Sequence, residues 1–426
     1  RGRGGVDAGS SGGVGRQNGA TVTGGTGAVE VYGFGGDSTA GFNYGVLVSG
    51  AGTAITSTGG SVLVEGTGGG SGGSWKNTGV YLNTGGTITS AGAGSGATVT
   101  VKGYGGDTGT EEENMGVRVD GVGARISSSG GAVLVEAHGG GDGSGGGNYG
   151  LYLANEGQIT SDSAAASVTV KAFGGSTSGS GHFNYGARIL SDGEITSSGG
   201  AVLVEGTGGG AGASGSNYGL SLETGGTITS AGAGAGATVT VKGWGGNAAG
   251  TGGSSNYGVS LNGAGSQITS SGGAVLVEGT GGGSGTSGSN YGVYLASGAE
   301  VANAGTGAGS TVTVKGWGGN AGGNFNHGVR VHGADAQVTS SGGAVLVEGY
   351  GGGTAASESN FGVNLRSGGT ITSDGVGATI TVKGQGGNAG GTGGDNRGVL
   401  IEGSGSQVLS SGGDIEITGA ACVTSG

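Results

Sequence analysis

The chain has 426 residues, of which 124 are glycine, none is proline and 5% are aromatic, so neither an ordinary globular core nor a proline-bearing collagen fits it. A net charge of -12, with only fifteen Lys and Arg, argues against nucleic acid, whose binding needs clustered cations to displace counterions. The single Cys422 excludes an internal disulfide framework, and no stretch approaches the roughly 20 apolar residues of a membrane-spanning helix.

The chain opens on RGRGGVDAGSSGG and closes on ACVTSG, partway through a repeat. It therefore reads as one continuous unit over residues 1–426, a window of a longer repetitive protein. A disordered linker is the first alternative, but such linkers lack the recurring Val/Leu/Ile pattern that runs from end to end here.

Each copy of about 35 residues holds three short apolar runs separated by glycine, too short and too strictly alternating for helices. The first run is AVLVEG or TVTVKG, with two valines on one face, as in Val62 and Val64 or Val99 and Val101. Period-two geometry points these valines inward and the Leu/Thr and Glu/Lys positions outward. The charge at the end of that run alternates in sign from copy to copy: Glu65, Lys102, Glu136, Lys171, Glu205, Lys242, Glu278, Lys315, Glu348 and Lys383, spaced 33 to 37 residues apart. Such alternation makes sense where copies stack directly on one another, because a slip by one copy would set like charges together at every step.

The second run begins with asparagine and has glycine two residues on, at Asn43, Asn77, Asn114, Asn148, Asn184, Asn217, Asn256, Asn290, Asn326, Asn360 and Asn396. Eleven identical catalytic amides are implausible. Asparagine at a corner, its amide stacked on copies above and below, is the structural reading, with the glycine allowing a backbone conformation or a close approach that a Cβ would block. The third run is short, as in TIT from Thr87 or QIT from Gln158, with its central Ile or Val facing in, and a turn such as SSGG or AGAGAG follows.

Three runs and three glycine corners per copy predict an all-β fold, a parallel β-solenoid (β-helix) with three short strands per rung and about 11 rungs. At about 4.8 Å per rung the rod is near 50 Å long. An antiparallel meander of hairpins is the rival, but it would not align the ends of identical runs.

Little in the sequence points to chemistry. Glycine-rich phosphate loops are matched many times over, yet no GKS or GKT follows any of them. The calcium-binding GGxGxDxUx and DxDxDG patterns are absent, and the densest acidic spot is Glu111, Glu112 and Glu113 with Asp107 nearby. Histidines 138, 182, 327 and 332 form no HExxH or recurring pair. No catalytic, cofactor or metal residue is therefore assigned. Aromatic residues follow the charge column at Phe34, Tyr104, Phe173, Trp244, Trp317 and Tyr350. This candidate contact strip either stacks sugars or a second rod, or packs against the copy's own glycine loop. An outward threonine column, including Thr56, Thr89 and Thr229, resembles that of ice-binding solenoids, although the adjacent column mixes Thr, Gln, Glu and Arg125.

The phrases NYGVYL, GGTITS and SSGGAVLVEGTGGG resemble those of very large bacterial secreted β-strand-repeat proteins, broadly the filamentous-haemagglutinin-like adhesins. The resemblance covers nearly the whole chain. It implies a structural rod or filament segment of an extracellular or cell-surface fibre, acting in adhesion, cell contact or matrix formation and self-associating end to end or side by side. A carbohydrate-binding β-helix module that uses the aromatic strip on a glycan or cell-surface partner is the alternative. Neither reading expects an enzyme or a nucleic-acid partner.

Overall fold

A computed structural model describes residues 2–3, 12–106, 112–141, 144–175, 180–246, 252–388 and 391–421. Asp107, Glu111 and Cys422 lie outside them. The described chain forms three parallel sheets of 13, 12 and 12 strands, in which every strand but the two at the ends of each sheet pairs with the strands three before and three after it in sequence. This is the expected right-through stacking of a three-sided solenoid of about eleven turns, and no helix occurs among the described residues.

One turn shows how the sequence builds the rung. The first-sheet strand Val62–Thr67 carries VLVEGT, the second-sheet strand Val80–Asn83 carries VYLN, and the third-sheet strand Thr87–Ser90 carries TITS. Alternation of side chains sends Val62, Val64, Val80, Leu82 and Ile88 to the interior, where all five are buried. Their counterparts in successive turns form a single core running the length of the rod. Because each strand finds its hydrogen-bond partners only in neighbouring turns, one turn cannot fold alone, and stability grows by addition of like units.

Strand ends differ from the sequence reading. The first run begins one residue later and ends one residue later than the AVLVEG hexamer, so the charge is the fourth of six strand residues rather than its close. The second strand starts three residues after the asparagine, at Val46, Val80 and their equivalents. Both shifts have the same cause: period two fixes which face a residue takes and leaves the ends of the strand to the corners.

The corners are built by buried polar side chains. At the SSGG turn the first serine points inward: Ser128 Oγ donates to the Ala97 carbonyl at 2.6 Å and accepts from the Gly131 N–H at 2.9 Å. Asn303 takes the same place in one turn, donating to the Gly273 carbonyl at 2.6 Å and accepting from the Gly305 N–H at 3.0 Å. These groups satisfy corner amides and carbonyls that would otherwise be buried without partners.

Candidate functional site

The asparagines occupy the corner between the first and second sheets. From Asn43 through Asn360, each donates its backbone N–H to Oδ1 of the asparagine one turn on, at 2.9 to 3.3 Å. Several also pass a side-chain hydrogen bond along the column, as from Asn217 Nδ2 to Asn256 Oδ1 at 3.1 Å. The other amide proton is fixed locally, for example by Ser74 Oγ at 3.0 Å from Asn77 Nδ2 and by the Gly253 carbonyl at 2.7 Å from Asn256 Nδ2. Asn43 through Asn360 are buried, so this column is part of the scaffold and offers no amide to a ligand.

Both neighbours of the asparagine carry a constraint. The residue before it is in the left-handed region in all eleven turns, with φ between 54 and 70° at Phe42, Lys76, Glu113, Gly147, Phe183, Ser216, Ser255, Ser289, Phe325, Ser359 and Asp395. Only one of these is glycine, so the corner imposes a conformation that ordinary side chains disfavour. The glycine two residues after the asparagine has no such φ. At Gly219 a Cβ would run into the Trp244 amide nitrogen and the Gly258 carbonyl, so close approach of backbones requires the glycine there.

Between asparagine and glycine lies an aromatic column that sequence reasoning passed over, because its residue type varies. Tyr185, Tyr218, Tyr257 and Tyr291 stack in sequence with centroids 4.6 to 4.8 Å apart, and His327 and Phe361 continue the stack at 5.0 Å each. Tyr149, Tyr185, Tyr291, His327 and Phe361 are buried, and burial raises the hydroxyl pKa of Tyr218 to about 12. Arginines of the second sheet lie over these rings: Arg188 between Tyr149 and Tyr185, and Arg330 against Tyr291, whose hydroxyl accepts from Arg330 at 2.6 Å. At the distal end a cleft of about 410 Å³ is bounded by Phe325, His327, Arg330, Asn364 and Arg366.

The ten charges form a column on the outer face of the first sheet. Strand pairing sets Glu65 level with Lys102 and each later glutamate level with the lysines of the turns on either side, through Glu348 opposite Lys383. Among the described residues three of these neighbours close to ion pairs: Lys102 with Glu136 at 2.8 Å, Lys242 with Glu278 at 3.4 Å and Lys315 with Glu348 at 3.5 Å. All six side chains are partly exposed, so each pair contributes at most about 1 kcal/mol. Its neighbour Tyr350 donates to Glu348 at 2.6 Å, which with Lys315 holds the Glu348 carboxyl below its usual pKa.

The candidate aromatic strip occupies the sixth position of the same strands and shares the outward face of the charges. Phe34, Tyr104, Phe173, Trp244, Trp317 and Tyr350 fall in one register column, interrupted by Thr67, His138, Thr207 and Thr280. Tyr104, His138 and Phe173 stack on one another, as do Trp317 and Tyr350. Trp244 and Trp317 are 41% and 37% exposed, so both side chains are partly open to solvent.

Other sequence candidates are scattered. Glu113 pairs with Lys76 at 3.3 Å on the corner, and no group of three His, Cys, Asp or Glu able to hold a metal occurs among the described residues. Thr56 with Thr89, Thr229 with Thr269, and Thr339 with Thr372 share hydroxyl hydrogen bonds on the third sheet, but Ser127 and Ala302 interrupt that column. No helix of the described residues is long and apolar enough to cross a membrane.

The fold and its faces define a parallel β-solenoid repeat protein. No protein-family model, curated protein or solved structure matches the chain.

Proposed function

We propose that this chain is a non-enzymatic rod segment of a bacterial surface fibre, placed outside the cell and serving adhesion, cell contact or matrix formation. The observation that carries the reading is the unbroken pairing of three parallel sheets along the described chain, reinforced by buried asparagine and aromatic columns. A rod so tied turn by turn transmits load along its axis and resists bending, which suits a stalk. Its partly exposed polar faces, on which glutamate and lysine alternate one to a turn among the described residues, suit a spacer better than a reaction site. The resemblance of NYGVYL and SSGGAVLVEGTGGG to filamentous-haemagglutinin-like repeats supports the same role. Electron microscopy of source cells labelled with antibody against this segment tests it: fibres decorated outside the envelope are expected, and label confined to the cell interior would refute it.

A carbohydrate contact is the second reading, favoured by the exposure of Trp244 and Trp317 two turns apart in one column. Exposed indole faces are suited to stacking on sugar rings. A glycan array separates the two readings. Specific binding lost in Trp244→Ala with Trp317→Ala supports the sugar contact, while an array without hits leaves the spacer.

A further inference from the structure

The outer face of the first sheet alternates in three columns at once. Turns with glutamate carry leucine two residues before it, at Leu63, Leu134, Leu203, Leu276 and Leu346, whereas turns with lysine carry threonine there, at Thr100, Thr169, Thr240, Thr313 and Thr381. Two residues after the charge the sizes reverse: Thr67, Thr207 and Thr280 in glutamate turns, Tyr104, Phe173, Trp244 and Trp317 in lysine turns. His138, Tyr350 and Gln385 are the departures.

Stacking within a single rod accounts directly for the alternating charge. Leucine stacks on leucine as well as on threonine, and the interior valines directly beneath do not alternate at all. The outward column of the second sheet carries the same period over part of its length, with Tyr81, Arg118, Tyr152 and Arg188 and again Tyr294 and Arg330, but Ser221 followed by Ser260 breaks it midway. On the first sheet the charge and Leu/Thr columns alternate without a break through all ten turns and stay in phase, which makes that face complementary to its own reverse.

We infer that this face pairs with the same face of a second copy of the chain, the two rods running antiparallel about a two-fold axis set between the Glu205 and Lys242 turns. The inference rests on the rod reading above and adds its partner. Under that symmetry each column meets itself in reverse order. Glu65 then faces Lys383 of the second copy, Lys102 faces Glu348, Glu136 faces Lys315, Lys171 faces Glu278 and Glu205 faces Lys242, so every charge meets its opposite. Every outward leucine of the flanking column meets a threonine, and Trp244 meets Thr207. His138 meets Trp317 and Tyr104 meets Tyr350, which sets ring against ring. The parallel in-register alternative puts glutamate on glutamate and lysine on lysine at all ten turns, and a parallel pair offset by one turn restores opposite charges but leaves a charge unmatched at each end and is not closed by a two-fold axis.

The footprint is adequate. Ten turns at about 4.8 Å and six residues at about 3.3 Å give roughly 950 Å² per copy, or about 1,900 Å² in all, within the range of specific interfaces.

Zero-length carbodiimide crosslinking of an equal mixture of isotopically labelled and unlabelled protein, read by mass spectrometry, tests the pairing. Lys102 and Glu348 of one chain are seven turns apart, about 34 Å, too far for an amide to form within a rod. A Lys102–Glu348 link between labelled and unlabelled chains, with a dimer mass in sedimentation, is the expected result. Links between chains that join only level or adjacent turns would establish a parallel pair and overturn the proposal. A monomer at all concentrations, with the scattering profile of a single rod, would also overturn it while leaving the rod intact. Thr240→Trp adds bulk opposite Leu203 on an outward position, so at least a tenfold loss of association with an unchanged melt is expected on dilution; unchanged association would refute the facing arrangement.

Discussion

The backbone N–H of Phe361 donates to Nδ1 of His327 at 3.2 Å across one turn, which makes Nδ1 an acceptor and places the imidazole proton on Nε2. Nε2 lies 3.3 Å from the Asn364 amide. With Nε2 as donor, the consistent orientation of that amide turns its oxygen toward the ring.

A neutral His327 gives the rod a pH dependence. Burial first, then Arg330 and Arg366, hold its pKa well below 6.5. The unfolded chain therefore takes up a proton near pH 6.5 that the folded chain refuses. Stability from this residue is complete above that pH and is lost as pH falls toward the depressed folded value, with a slope of at most about 1.4 kcal/mol per pH unit. His327→Phe, matching Phe361 in the same column, should flatten the loss of melting temperature between pH 6.5 and 5 relative to wild type. Parallel curves would show that the ring is protonated in the folded state.

The asparagine column should be expensive to interrupt. In Asn256→Ala the Asn217 backbone N–H and Nδ2 lose their acceptor, and Asn290 Oδ1 loses one donor. An unpaired buried amide costs about 1 to 3 kcal/mol, so a loss of about 2 to 4 kcal/mol is expected in denaturant unfolding, with local hydrogen exchange fastest at Asn217.

The left-handed corner before each asparagine predicts an inverted glycine rule. Ser289, at φ 56°, should accept glycine with a change of only a few tenths of a kcal/mol, whereas Ser289→Val should cost about 1 to 2 kcal/mol. Urea midpoints of the two variants provide the comparison.

Charge reversal tests the ladder. Glu205→Lys stands between Lys171 and Lys242 in register, converting two opposite-charge neighbours into like ones. Each exposed cross-strand pair is worth roughly 0.2 to 1 kcal/mol, so the melt should fall modestly, and further at low salt.

Much of this architecture was legible in the sequence because alternation is a local rule. Val62 and Val64 share a face wherever the strand ends, so the inward columns, the outward charges and the three-run rung follow from spacing alone. The left-handed residue was not legible, since Phe, Lys, Glu, Ser and Asp all occupy it and the corner imposes the conformation. The Tyr185–Phe361 stack was hidden for a related reason: Met115, Thr78 and Arg397 in equivalent positions disguise a column whose continuity exists only once the turns are stacked. Trp244 and Trp317 share one register column, and their lying on the face of Lys242 and Lys315 depends on the strand extending past the charge.

The central claim is the stacked turn itself, and fibre or single-particle imaging of aligned rods reads it directly. An axial spacing near 4.8 Å with a weaker repeat at twice that distance is predicted, the doubling arising from the Leu–Glu–Thr and Thr–Lys–aromatic turns. A strand spacing perpendicular to the long axis, or a compact particle with no axial repeat, would contradict it.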